Sequence, residues 1–324
     1  MKTGTKIWLI VAGALVLSGA LIFLGVMTVL NWNFMGLSTE KLETNAYVIE
    51  EDFGSISVLT DTADVAFLPS EDARTRVVCL ERSRRRHVVT VADGVLTVKL
   101  NDTRKWYEYI SFGFDFTSPK VTVYLPAGAC GALAVKTDTG DVDLGKEFSF
   151  AEIDVSGSTG RVSCRASATD ALKLRTSTGE ILLEDVTASS VSLSVSTGAV
   201  SASRVDCAGD FSLRVSTGAA TVSDVTCKRF ETVGSTGDVR LTRLICFEDM
   251  RIERDTGDVR LDACDGAELF IKTDTGSVRG SLVSEKIFIA KSDTGRVDVP
   301  ETTSGGKCRI ETDTGDIRMT VVQK

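Results

Sequence analysis

The chain has 324 residues, of which 43% are hydrophobic and only 6% aromatic, with four prolines, eight cysteines and one histidine. A formal net charge of −8 argues against a nucleic-acid partner, whose phosphates call for clustered Lys and Arg. The single His87 excludes metal centres built on several imidazoles; it stands in the basic run Arg82-Ser83-Arg84-Arg85-Arg86, which reads as a solvated loop or strand edge.

Residues 1–6 read as a cytoplasmic tail carrying Lys2 and Lys6, and residues 7–30 contain no charge. At about 1.5 Å per residue that stretch exceeds the roughly 30 Å of a bilayer's hydrocarbon. It is longer than most cleaved h-regions and no small-x-small site follows, so a transmembrane signal anchor is expected, with a cleaved export signal as the alternative. The preceding lysines leave the N-terminus in the cytoplasm and the rest of a single-pass chain outside. Trp8, Trp32 and Phe34 read as interfacial anchors, and residues 31–43 as a linker.

Residues 44–136 read as a β cap with the first irregular coils. Ile56-x-Val58 and Val65-x-Phe67 flank Thr60-Asp61-Thr62-Ala63-Asp64, a degenerate Thr-Gly corner with Ala63 in place of glycine. Val88 to Val91, Val95 to Leu100 and Val121 to Leu125 are strand candidates, with a turn at Asp93-Gly94. Phe112, Phe114 and Phe116 alternate, as residues on one strand face would. A solenoid end exposes strand edges and needs such a cover.

From residue 137 to 324 the dipeptide Thr-Gly recurs ten times at a spacing of 19 or 20, with its glycines at Gly140, Gly160, Gly179, Gly198, Gly218, Gly237, Gly257, Gly276, Gly295 and Gly315. That period suits one turn of a β-solenoid, whose coils bury a core only by stacking. After each corner comes an inward-type residue: Val142, Val162, Ile181, Val200, Ala220, Val239, Val259, Val278, Val297 and Ile317. A looser column follows two residues later, including Leu144, Cys164, Leu183 and Leu261, with Gly280 as its gap. Alternation also precedes the corners, as in Phe211-x-Leu213-x-Val215. The fold class is therefore all-β, a single-stranded β-solenoid of the β-helix or β-roll type, and the extra residue of the longer coils belongs in the wide bend opposite the corner. Ten coils at about 4.8 Å each make a rod roughly 45–50 Å long.

Apparent catalytic motifs dissolve into this repeat. Asp-Thr-Gly, the triplet of aspartic proteases, occurs at Asp138, Asp255, Asp274, Asp293 and Asp313, but Ser takes the same position in the other five coils. A site that accepts either residue is a turn position, where both side chains can bond a backbone N–H. Asp255, Asp274, Asp293 and Asp313 fall in four successive coils, so their carboxylates would stack about 5 Å apart as a ladder to which calcium could bind. Ion pairing with the outward Arg240, Arg260, Arg279 and Arg318 is the simpler account. Thr-x-Thr pairs such as Thr176-x-Thr178 invite an ice-binding reading, but only four coils have them. Cys207, Cys227 and Cys246 should stack as buried thiols, with a disulfide as the alternative. No catalytic residue and no cofactor is expected. The last coil ends at Lys324 without a separate cap segment, so an open edge is expected there, which Gln323 and Lys324 could shield or a second copy or a partner strand could pair with.

A membrane segment, a less regular β section with Tyr124-Leu125-Pro126, and coils of the form Thr137-Asp138-Thr139-Gly140-Asp141-Val142 resemble the bacterial putative-adhesin family of β-strand-repeat proteins, domains of unknown function. The resemblance covers residues 45–324. It implies a bacterial envelope protein, of a family sometimes linked to envelope-stress sensing, and brings no catalytic residues. The expected function is a surface binding or scaffolding module acting on a surface ligand or envelope protein. The alternatives are the ectodomain of a sensing or regulatory membrane protein, and a carbohydrate-active β-helix enzyme.

Overall fold

The computed structural model describes residues 3–29, 31–32, 42–104 and 118–322. Lys2, Leu30, Phe34, Phe112, Phe114, Phe116, Gln323 and Lys324 lie outside the described residues, and with them the ring-face and edge-shielding expectations. The N-terminal stretch is a helix, Thr3–Val29, and its segment Gly4–Val29 is long and apolar enough to span a membrane. All other regular structure among the described residues is β.

The Thr-Gly corner sets the stacking. Thr178, Thr197, Thr217, Thr236, Thr256 and Thr275 are Cα partners in parallel ladders, so corner lies on corner. At Gly218 φ is +136°, a conformation essentially reserved for glycine, and a Cβ there would lie 1.6 Å from the Gly198 carbonyl oxygen. The corner glycines therefore serve both the turn and the close approach of successive coils. Ala63 occupies this column beneath Gly140, and Thr139 donates its N–H to the Asp61 carbonyl at 2.5 Å, so the degenerate corner is part of the same stack.

Alternation then fills the interior. The post-corner residues from Val142 to Val278 and Ile317 are buried, as is the second column at Leu144, Cys164, Leu183, Ala202, Val222, Leu241 and Leu261. At Gly280 a Cβ would sit 2.7 Å from that of Leu261, so the neighbouring leucine fills the gap. The extra residue of the longer coil lies in the wide bend: Ala188 pairs with Cys207 at an offset of 19, but Val191 pairs with Phe211 at 20.

Each central coil also has a kink that the repeat pattern did not announce. Asp185, Arg204, Asp224, Arg243 and Ala263 sit in the left-handed region with φ between 50° and 56°. Behind the kink a third inward pair follows in each coil, such as Val225 and Cys227. The Thr-x-Thr pairs are not an outward array. Thr137, Thr176, Thr273 and Thr312 are buried, and Thr312 Oγ1 donates to the Gly276 carbonyl at 3.0 Å. In the central coils the guanidinium of Arg254 enters the core: it is 2% exposed, passes over Gly234 and donates to the Val215 carbonyl at 2.8 Å.

Both ends depart from chain order. At the C-terminal end Thr275 pairs with Thr314, and Thr314 with Thr294. The coil Gly306–Val321 thus inserts between the coil 268–282 and Lys286–Asp298, which is left outermost. The expectation that the last residues of the chain form the open edge is corrected: the edge belongs to Lys286–Thr294. At the N-terminal end Ser55–Thr60 lies between Gly128–Thr139 and the outer strand Val95–Asp102. Antiparallel strands finish this end. Arg85–Ala92 covers Val95–Asp102, while Thr75–Arg82 covers Lys120–Leu125 and is itself covered by Leu42–Ile49. Antiparallel pairing thus replaces parallel addition at this end.

Candidate functional site

Two places differ chemically from the rest of the rod. The first is inside the cap. Strand alternation turns Val77, Cys79 and Glu81 inward, and a short turn at Ser83-Arg84 brings His87 back beside them. His87 is 2% exposed, which overturns the solvated-run reading. Glu81, 1% exposed, accepts the His87 backbone N–H at 2.6 Å and lies 2.8 Å from His87 Nδ1. Its other oxygen accepts Asn45 Nδ2 at 2.7 Å, and His87 Nε2 lies 3.1 Å from Thr60 Oγ1. The donor atoms of Cys79, Glu81 and His87 all fall within 4.8 Å of one another, the only such group of three among the described residues. Burial, and after it the Glu81 charge, pushes the Cys79 thiol up to about 12. A groove of about 230 Å³, lined in part by Thr60, Asp61, Lys99, Lys136 and Asp138, opens beside Thr60.

The second place is the outermost coil. Ile287, Ile289 and Val297 are 38%, 50% and 41% exposed on a strand edge that has no partner on one side among the described residues. Outward positions of the inner coils at the columns of Ile287 and Ile289 carry charges such as Lys307 and Arg309. Lys286 points inward, with Nζ 2.8 Å from an Asp265 oxygen, a device that discourages uncontrolled edge pairing.

The sequence-derived candidates distribute differently. The four-carboxylate ladder follows the order Asp255, Asp274, Asp313, Asp293, because the coils do. Asp274 and Asp293 instead face Lys272 at 3.4 Å and Lys291 at 2.7 Å. Arg240, Arg260, Arg279 and Arg318 do stack, with Asp258 3.5 Å from Arg260 and Asp298 3.4 Å from Arg318. The kink column adds pairs that sequence reading missed: Arg204 reaches Asp185 at 2.5 Å, and Arg243 reaches Asp224 at 2.5 Å. Hydrogen bonds from these guanidiniums hold both carboxyls below the usual carboxylate range.

All eight cysteines are free, and all but Cys130 are buried. Cys227 and Cys246 stack with sulfurs 3.5 Å apart. Burial pushes Cys164 and Cys308 up to about 12, as it does Cys79. These thiols stay protonated in the fold while an unfolded chain ionises them from about pH 9, so their contribution to stability is intact below that pH and is lost as pH rises toward 12. Maleimide should accordingly label Cys130 alone on the native protein and all eight residues in denaturant. Native labelling of Cys227 or Cys246 would contradict the packing.

A model of the Toastrack DUF4097 family matches residues 53–210 and 201–324. Among solved structures, the fold is similar to a putative lipid binding protein from Parabacteroides distasonis ATCC 8503, at 16% identity and TM-score 0.45, covering 87% of this chain and 98% of that one. It is similar also to a putative adhesin from the same strain, at 11% identity and TM-score 0.42 over 87% and 98%. A putative adhesin from Bacteroides fragilis NCTC 9343 aligns at 16% identity and TM-score 0.40 over 86% and 97%. No curated protein matches the chain in sequence.

Proposed function

The chain belongs to the Toastrack DUF4097 family, and from that premise we propose that it is a non-enzymatic binding module held at the cell membrane by its N-terminal helix. The helix anchors a single-pass protein with its N-terminus in the cytoplasm and its solenoid outside, where the rod presents a recognition surface to a ligand or envelope protein. The observation that carries this reading is the outermost coil, Lys286–Asp298. It combines a strand edge that has no partner among the described residues with exposed Ile287, Ile289 and Val297, whereas the inner coils are covered on both sides. Exposed apolar side chains on a rigid, pre-formed edge suit strand addition or shallow apolar contact by a partner.

The full chain displayed on cells, or purified in detergent, should bind its target surface in a pull-down against envelope fractions. The double substitution Ile287→Lys and Ile289→Lys should lower that binding at least about tenfold with an unchanged melting profile. Undiminished binding by the double variant would remove the edge from the account. Stoichiometric co-purification of an integral membrane protein, with no binding to surfaces, would replace adhesion by the sensing role.

A further inference from the structure

We propose that Cys79, Glu81 and His87 form a zinc(II) site that closes the N-terminal cap. The three residues are brought together by strand geometry alone. Cys79 and Glu81 share the inward face of Thr75–Arg82, and His87 faces them from Arg85–Ala92. A tetrahedral zinc ion with bonds of about 2.0–2.3 Å sets its ligand atoms roughly 3.3–3.8 Å apart. The three donor atoms already lie within 4.8 Å of one another, with Glu81 and His87 Nδ1 2.8 Å apart, so the separations bracket those of a tetrahedral shell.

The donor set selects the metal. Thiolate, imidazole and carboxylate together favour zinc over calcium or magnesium, which prefer an all-oxygen shell. Charge agrees: one thiolate and one carboxylate neutralise a dication, offsetting a charge that is costly to bury alone. The surrounding contacts resemble those that orient metal ligands. Asn45 holds the second Glu81 oxygen at 2.7 Å, and Thr60 Oγ1 engages His87 Nε2 at 3.1 Å, turning Nδ1 toward Glu81. With zinc on Nδ1, the Nε2–H donates to Thr60. Binding replaces the Cys79 thiol proton, which is released to solvent. Three protein donors leave one position of the tetrahedron for a water.

The mechanical consequence is local. Thr75–Arg82 belongs to one face of the cap and Arg85–Ala92 to another, so a metal bonded to both would fasten the two faces where no further coil can.

The test uses the full chain in detergent, stripped with EDTA and then titrated with cobalt(II), whose thiolate charge-transfer band reports a sulfur ligand. One equivalent of cobalt should produce the band, zinc should displace it, and zinc should raise the thermal midpoint. Cys79→Ser should abolish the band, and Glu81→Gln should weaken zinc binding at least about tenfold. If Cys79→Ser fails to fold, the unmutated chain and Glu81→Gln still decide. Absence of both the band and any zinc-dependent shift in the unmutated chain overturns the site, as does a band that survives in folded Cys79→Ser.

Discussion

Val259→Asp should destabilise the protein by at least about 3–5 kcal/mol, the cost of an uncompensated charge in a core. Val259 is fully buried, and its Cα partners are Val239 on one side and Val278 on the other. A domain's whole stability is of order 5–15 kcal/mol, so the loss is a large fraction of it. In a stacked array the damage spreads to neighbours, because each coil's interior is closed by the coils beside it. Hydrogen exchange should therefore accelerate across Val239–Cys246 and Val278–Leu282 as well as at the substituted strand, with a lowered denaturation midpoint. Unaltered protection in the flanking coils would show that the column is not shared.

Gly218→Ala should cost about 3 kcal/mol although it adds a single methyl group. The backbone at φ +136° penalises any Cβ, by about 1–3 kcal/mol, and the Gly198 carbonyl oxygen occupies the space the methyl needs. The corner would have to open, lengthening ladder bonds such as Gly218 N–H to the Thr236 carbonyl at 2.7 Å. Gly54→Ala is the matched control: a Cβ there meets nothing within 4 Å, so its effect should stay within about 0.5 kcal/mol. Equal denaturation midpoints for the two variants would contradict the corner's role.

The repeat was legible because period and burial are the same constraint. A residue such as Val239 recurs in every coil since each coil must close the same core. Rung order was not legible for that same reason. The strands ending at Thr275, Thr294 and Thr314 carry nearly one pattern, so sequence periodicity cannot rank their pairings. One local signal was available. Pro300, the only proline within the repeats, follows Val297–Asp298, and proline is confined to edges and irregular turns because it cannot donate to a ladder. The exposed Ile287 and Ile289 say the same about that coil.

His87 was hidden by its company. A run of arginines suggests solvent, yet the alternation of His87 with Val89 and Val91, opposite Cys79 and Glu81, places it on the inward face. The kink column escaped notice because its residues, Asp185, Arg204, Asp224, Arg243 and Ala263, share a backbone conformation rather than a side-chain type. Glycine marks the corner because two coils touch there, whereas the kink is occupied by Asp, Arg and Ala.

Native-state hydrogen exchange on the full chain, resolved to single coils, tests the stacking and its inverted end together. Amides of Gly306–Thr314 and Ile317–Val321 should be protected like those of the inner coils, while Lys286–Thr294 should exchange fastest of the ten corner-bearing coils. Protection that declines toward the C-terminus, with Lys286–Thr294 held and Ile317–Val321 open, would contradict the architecture.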